Sequence, residues 1–187
     1  MIRRLLPIAP LAALAAVLAA TPASAELAVG AKAPDFTAQG AIGGKEISFS
    51  LKSALKKGPV VLYFYPKSFT QGCTLEAHAF AEAVDDFAKA GASVIGLSAD
   101  SLETQQKFST EHCRDKFPVA VASPAIISAY DVAMLGKDGV PNGVAKRTSY
   151  VIGRDGRIRM VYSNMDYRDH VRLALDAVRA LSAPHKH

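Results

Sequence analysis

The sequence predicts an α/β sandwich: a mixed central sheet flanked by helices. Two continuous apolar runs read as strands buried on both faces, Val60–Tyr65 ("VVLYFY") and Ser93–Ala99 ("SVIGLSA"). Between them Ala77, Phe80, Val84 and Phe87 recur at near-helical spacing, so the unit is strand, helix, parallel strand. Near the carboxyl end, "TSYVIG" and "RIRMVYS" read as two strands joined through Asp155-Gly156, a hairpin signal that adds antiparallel pairing.

The remaining elements follow in order. Residues 1–25 read as a secretory signal peptide: Arg3 and Arg4, then an uncharged Leu/Ala-rich run, then a small-x-small end at Ala23 and Ala25. Its apolar core from Leu5 to Ala20 falls short of the roughly 20 residues needed to cross a bilayer, and Pro7 and Pro10 interrupt it. Cleavage after Ala25 is therefore expected, with no membrane attachment afterwards, and residues 26–187 form a single domain. The helix after Cys73 is expected to end near Gly91. A further helix runs from Ser101 to about Cys113, Pro118 opens the short strand "PVAVA", and "SPAIISAYDV" reads as a short helix. Val171, Ala174, Leu175, Val178 and Leu181 form one face of a last helix. The order βαβα…ββα, with a cysteine just past the first parallel strand, fits a thioredoxin-like sandwich. In open α/β sheets, sites gather at the carboxyl ends of strands.

The formal net charge of +5 falls by two when Arg3 and Arg4 leave with the signal. There is no Lys/Arg run and no interleaving of basic and aromatic residues, so nucleic acid is not an expected partner. The five histidines are scattered and no C-x-x-C occurs, which leaves no metal-ligand pattern.

Chemistry concentrates at "PKSFTQGCTLEAH" (Pro66–His78). An ordinary thiol is mostly protonated at neutral pH and a poor nucleophile. At a helix start, free N–H groups and the positive end of the helix dipole favour an anion, and Cys73 lies at or within that first turn. Thr70 could aim a hydroxyl at the same spot or simply cap the helix. Pro66 would end the strand and shield the sulfur. Glu76, one turn on, would hold a cation or serve only as a first-turn acid.

"P-K-S-F-T-Q-G-C-T-L-E" resembles the P-x-x-x-T-x-x-C loop of peroxiredoxins, extended by a glutamate. "VGAKAPDF" (Val29–Phe36) is similar to the family's amino-terminal strand signature, and "RTSYVIGRDGRIRMVY" resembles the later strand pair carrying the family's arginine, here Arg147. The subgroup resembled is the Q type, also called bacterioferritin comigratory protein, and the likeness runs from about Val29 to Leu181. It implies that Cys73 is the peroxidatic cysteine, oxidised to a sulfenic acid. Thr70 and Arg147 would bind the peroxide oxygens, Glu76 would orient Arg147, and Pro66 would shield the thiolate. Lys146, Arg154, Arg157 and Arg159 crowd the same stretch as Arg147, so a merely solvated arginine is the alternative there.

The resemblance also implies a peroxidase for hydrogen peroxide and organic hydroperoxides, without metal, haem or flavin; with the expected signal peptide, it would work in the periplasm. An external thiol or dithiol, such as a thioredoxin-like protein, would recycle it, and it would be a monomer or homodimer. Q-type proteins often carry a second cysteine five residues after the first, where this chain has His78; five helical residues turn that side chain about 140° away from Cys73. Others carry the resolving cysteine in the next helix, which makes Cys113 the expected resolving residue. A one-cysteine enzyme served by an external thiol and a permanent Cys73–Cys113 bridge are the alternatives. Such a bridge would be worth roughly 4 kcal/mol in chain entropy. It needs Cα atoms within about 7 Å, so one or both helix ends would have to unwind. Two other functions share these residues: a thiol–disulfide oxidoreductase, disfavoured by the missing C-x-x-C, and a non-enzymatic redox sensor.

Overall fold

The computed structural model describes residues 26–182; the expected signal peptide lies outside them. A hairpin comes first, β1 (Thr37–Ile42) and β2 (Lys45–Ser50), followed by helix α1 (Leu51–Lys57). The predicted parallel unit is β3 (Val60–Phe64), α2 (Gln71–Lys89) and β4 (Ser93–Ser98). It continues through α3 (Leu102–Glu111), β5 (Val119–Val121) and α4 (Pro124–Ala129). A small pair, β6 (Ala133–Leu135) and β7 (Pro141–Ala145), precedes the hairpin β8 (Thr148–Ile152) and β9 (Ile158–Ser163), and α5 (His170–Ser182) closes the domain.

Seven strands form one mixed sheet in the order β2-β1-β5-β4-β3-β8-β9, with β6 and β7 paired separately. β3, β4 and β5 are parallel, while β1 and β8 run antiparallel to their neighbours. The alternation of side chains along β3 builds two cores. Val60, Leu62 and Phe64 pack on the side of α1 and α4 with Ile95, Ile127 and Tyr150. Val61, Tyr63 and Tyr65 pack on the side of α2 and α5 with Phe80, Phe87, Ala174 and Val178. Each fully buried large apolar side chain is worth about 1.5–3 kcal/mol of transfer free energy, which explains why the central strand carries no polar face.

Three local expectations change. Val29–Phe36 is not a strand: Pro34 lacks an N–H for a ladder, and the segment docks on the end of the β8–β9 hairpin instead. Gly30 N–H and Ala33 N–H donate to Ile158 and Gly156 carbonyls, Ile158 N–H returns to Ala31, and the strand begins only at Thr37. Helix α3 ends at Glu111, so Cys113 falls in the turn beyond it. The β1–β2 hairpin and the β6–β7 pair were not expected. The Asp155-Gly156 turn is as expected, with Gly156 at φ 76°, where a Cβ would be strained.

Candidate active site

The site begins where β3 stops. Tyr65 N–H still pairs with Leu97 O (3.0 Å), and Pro66, with no N–H to offer, ends the ladder and leaves the chain free to turn. The loop that follows is tied down by buried polar groups. Ser68 N–H donates to Asp100 Oδ2 (2.7 Å), and the Tyr65 hydroxyl donates to Gln105 Oε1 (2.7 Å). Gln105 Nε2 donates to Ser98 Oγ (2.7 Å), which itself donates to Asp100 Oδ2 (2.8 Å). Phe69 then takes a left-handed conformation (φ 64°), and Thr70 caps α2 in extended geometry. The Thr70 hydroxyl makes no cap bond; it donates back to Lys67 O (2.9 Å) from an exposed position.

Cys73 is the third residue of α2 and only 2% exposed. The first bond within the helix is Thr74 N–H to Thr70 O, so the N–H groups of Gln71, Gly72 and Cys73 have no partner from the preceding turn. Arg147, just ahead of β8, reaches the sulfur from across the sheet edge: Nη2 lies 3.4 Å from Cys73 Sγ. Nη1 is bonded to Glu76 Oε2, and Nε donates to Met165 O (3.0 Å), so the guanidinium is held on two sides while its third corner faces the thiol. Glu76 is fully buried and Arg147 only 4% exposed, which makes theirs an interior ion pair. Burial presses the Glu76 carboxyl above the usual carboxylate range while Arg147 pulls the other way; the guanidinium is held more strongly protonated by Glu76 and Cys73 against its own burial. Glu76 therefore has a cationic neighbour, Arg147, in the interior. Gly72 makes room for the fork, since a Cβ there would lie 3.2 Å from Arg147 Nη2.

A second layer was not anticipated. His170, at the start of α5, is fully buried behind Glu76, with Nδ1 3.8 Å from Oε1, which has no hydrogen-bond partner among the described residues. Its Nε2 lies 2.9 Å from Asn164 O, which can only accept, so Nε2 carries the hydrogen and Nδ1 accepts from the Ser149 hydroxyl at 2.8 Å. Burial drives its pKa down to about 4, Arg147 adding to the effect and the Asn164 bond opposing it, so the ring is neutral. A lone histidine ahead of an amphipathic helix carries no sequence signal for this role.

Both cysteines are free thiols. Cys113 is fully buried in the same core as Cys73, and burial pushes its pKa up, with Asp115 adding to the effect. His78 points away from the thiol, as its spacing requires, and meets His112. A cleft of about 490 Å³ lies away from Cys73, lined by β2, α1 and the opposite end of α2. The candidate site brings together one sulfur, one guanidinium and the free N–H groups at the start of α2.

Comparison with known proteins identifies the family and the fold. The AhpC/TSA family profile matches residues 29–161. Peroxiredoxin Bcp of Bacillus subtilis (strain 168) is 33% identical over 156 residues, covering 82% of this chain and 96% of the relative. The chloroplastic peroxiredoxin Q of Suaeda salsa is 36% identical over 145 residues, 75% of this chain and 62% of its own length. The crystal structure of peroxidoxin BcpB from Mycobacterium tuberculosis superposes with a TM-score of 0.72 at 33% identity, covering 82% of this chain and 97% of that one. With the thioredoxin-like sheet and the matching relatives together, the chain belongs to the AhpC/TSA family and is a peroxiredoxin of the Bcp/Q kind.

Proposed function

We propose that this enzyme reduces hydrogen peroxide and small organic hydroperoxides at Cys73, and that the observation carrying this reading is the Arg147 guanidinium held between Glu76 and the Cys73 sulfur. A Cys73 thiolate attacks one peroxide oxygen: an S–O bond forms, the O–O bond breaks, and the leaving oxygen takes a proton to become water or an alcohol. The sulfur is oxidised to a sulfenic acid as the peroxide is reduced. Arg147 and the unpaired N–H groups of the first turn of α2 face the position where negative charge develops, which is how fixed donors lower such a barrier. Pro66 and Thr70 precede Cys73 in the loop; Pro66 shields the thiolate and Thr70 turns its hydroxyl from Lys67 O toward a substrate oxygen.

Cys113 then resolves the intermediate in the same chain. Its thiolate displaces hydroxide from the Cys73 sulfenic acid, which leaves as water, and an external dithiol of thioredoxin type reduces the resulting disulfide. Because Cys113 is buried and its thiol held protonated, this step requires the turn at residues 112–117 to open. The protein works after export, in the periplasm, where residues 1–25 act as a cleaved signal.

Two measurements test the proposal. Cys73→Ser abolishes peroxide consumption with a thiol reductant, and wild-type rates in that variant would overturn it. Mass spectrometry after one equivalent of peroxide finds Cys73 and Cys113 peptides joined with a loss of two hydrogens. One added oxygen on Cys73 without a link would mean a one-cysteine cycle.

A further inference from the structure

The face of α2 turned away from Cys73 meets the segment that carries Cys113. His78, Glu82 and Asp85 stand at i, i+4 and i+7, one above another on the helix. Opposite them lie His112, Arg114 and Lys116: His78 Nε2 is 3.3 Å from His112 Nδ1, Arg114 is 3.5 Å from Glu82, and Lys116 is 3.8 Å from Asp85. The two ion pairs are exposed and worth at most about 1 kcal/mol each. The histidine pair is half-buried, and His112 is also gripped by the peroxide loop: Phe69 packs edge-on against it (5.2 Å between centroids) and against Phe108 (5.3 Å). Cys113 is the next residue. The turn beyond it works against this grip, since Arg114 and Asp115 are both left-handed (φ 52° and 58°), at a cost of roughly 1–2 kcal/mol each for residues with a Cβ.

We propose that His78 and His112 form a latch between α2 and the end of α3, and that as positioning residues they set how fast Cys113 reaches the Cys73 sulfenic acid. The inference rests on the resolving role proposed for Cys113. It assigns a task to His78, which stands where related chains place a second thiol.

The latch has a defined proton requirement. One ring N–H donates to the bare nitrogen of the other, so the pair can be neutral or carry one extra proton and still be joined. With two extra protons there is no acceptor, and like charges face each other. The groups facing the pair are Glu82 on α2 and Arg114 on the turn; the loop and α3 contribute the uncharged Phe69 and Phe108. Burial, Arg114 and His112 hold His78 below the usual imidazole range, with Glu82 opposing, so the second proton arrives only in acid. The latch is closed at neutral pH and released below it.

The test follows one turnover of the full chain by rapid quench, alkylation and mass spectrometry from pH 5 to 8, scoring loss of the Cys73 thiol and appearance of the Cys73–Cys113 link separately. Wild type is compared with His78→Ala, with His112→Ala, and with the double variant His78→Gln/His112→Asn, whose amides keep the bond without titrating. Thermal melts confirm that each variant is folded. The first step should be equal in all. At pH 7.5 the alanine variants should link about fivefold faster, the factor expected for one net hydrogen bond. Their ratio to wild type should fall toward one at pH 5, and because thiol ionisation is common to both it cancels in that ratio. The amide pair should match wild type at pH 7.5 and lag it at pH 5. Linking rates in the alanine variants no faster than wild type at pH 7.5 would overturn the latch and leave the resolving role standing. No Cys73–Cys113 link in wild type would overturn the resolving role and the latch with it.

Discussion

Arg147 Nη2 lies 3.4 Å from Cys73 Sγ, although the two residues are 74 positions apart. The contact exists because β8 lies beside β3 in the sheet, with Thr148 opposite Phe64, so the residue preceding β8 arrives at the strand end from which α2 departs. A sulfur at a helix start and a guanidinium at a strand start are thus brought together by sheet order alone.

If that guanidinium stabilises charge on the breaking O–O bond, its planar fork matters as well as its charge. Arg147→Lys keeps the cation but cannot hold Glu76, Met165 O and the sulfur at once. The expected loss in kcat/KM for peroxide is about 10²-fold, the usual effect of removing one such donor. Arg147→Ala goes further and strands the buried Glu76 carboxyl, lowering stability by about 3–5 kcal/mol. Steady-state peroxide consumption and urea unfolding measure the two effects separately.

Gly72 offers a cleaner separation of activity from stability. An alanine Cβ would sit 3.2 Å from Arg147 Nη2, a tenth to a few tenths of an ångström too close for comfort, while alanine is the better helix former. Gly72→Ala should therefore lose about tenfold in kcat/KM with no loss in melting temperature. Unchanged activity would show that the guanidinium position is not critical.

Much of this arrangement was legible in the sequence, and the reasons differ by element. The β3–α2–β4 unit showed because burial on both faces leaves an unbroken apolar run, and because the apolar face of α2 repeats at helical spacing. The address of Cys73 followed from Pro66 before it and that helix after it. The partnership of Glu76 with Arg147 was indicated only by family resemblance, since nothing local links residues 71 positions apart. The β1–β2 hairpin has a Gly43-Gly44 turn, but small residues such as Ala38, Gly40 and Ala41 blur its alternation. The His170 layer was invisible because its partners are the Ser149 hydroxyl on β8 and a backbone carbonyl at Asn164. The His78–His112 contact joins α2 to the turn just past α3 through polar side chains, which periodicity does not register.

His170 gives the fold an acid-sensitive element. Its folded pKa of about 4 lies below the ordinary 6.5, so between these values the unfolded chain binds the proton and the folded one does not. The stability contributed by the neutral buried ring is complete above pH 6.5 and is lost as pH falls toward 4, by at most about 3 kcal/mol. Urea unfolding at pH 7 and pH 4.5 should show this loss in wild type and a smaller one in His170→Gln. An equal loss in the variant would place the acid sensitivity elsewhere.

Among the described residues the buried Tyr63 hydroxyl has no hydrogen-bond partner, while its ring stacks on Phe80 at 4.3 Å. Removing an unpaired buried hydroxyl relieves a desolvation cost without touching the stacking. Tyr63→Phe should unfold at equal or higher denaturant concentration, by up to about 1 kcal/mol. A clear destabilisation would mean that the hydroxyl has a partner in solution.

The central claim is that peroxide oxidises Cys73 itself. The most direct measurement is trapping with a sulfenic-acid-specific reagent in Cys113→Ser, where no second thiol in the chain can consume the intermediate, followed by peptide mapping. The account predicts one adduct per chain, on the peptide containing Cys73, appearing as fast as peroxide disappears. Peroxide consumed at the wild-type rate with the Cys73 peptide unmodified would contradict it.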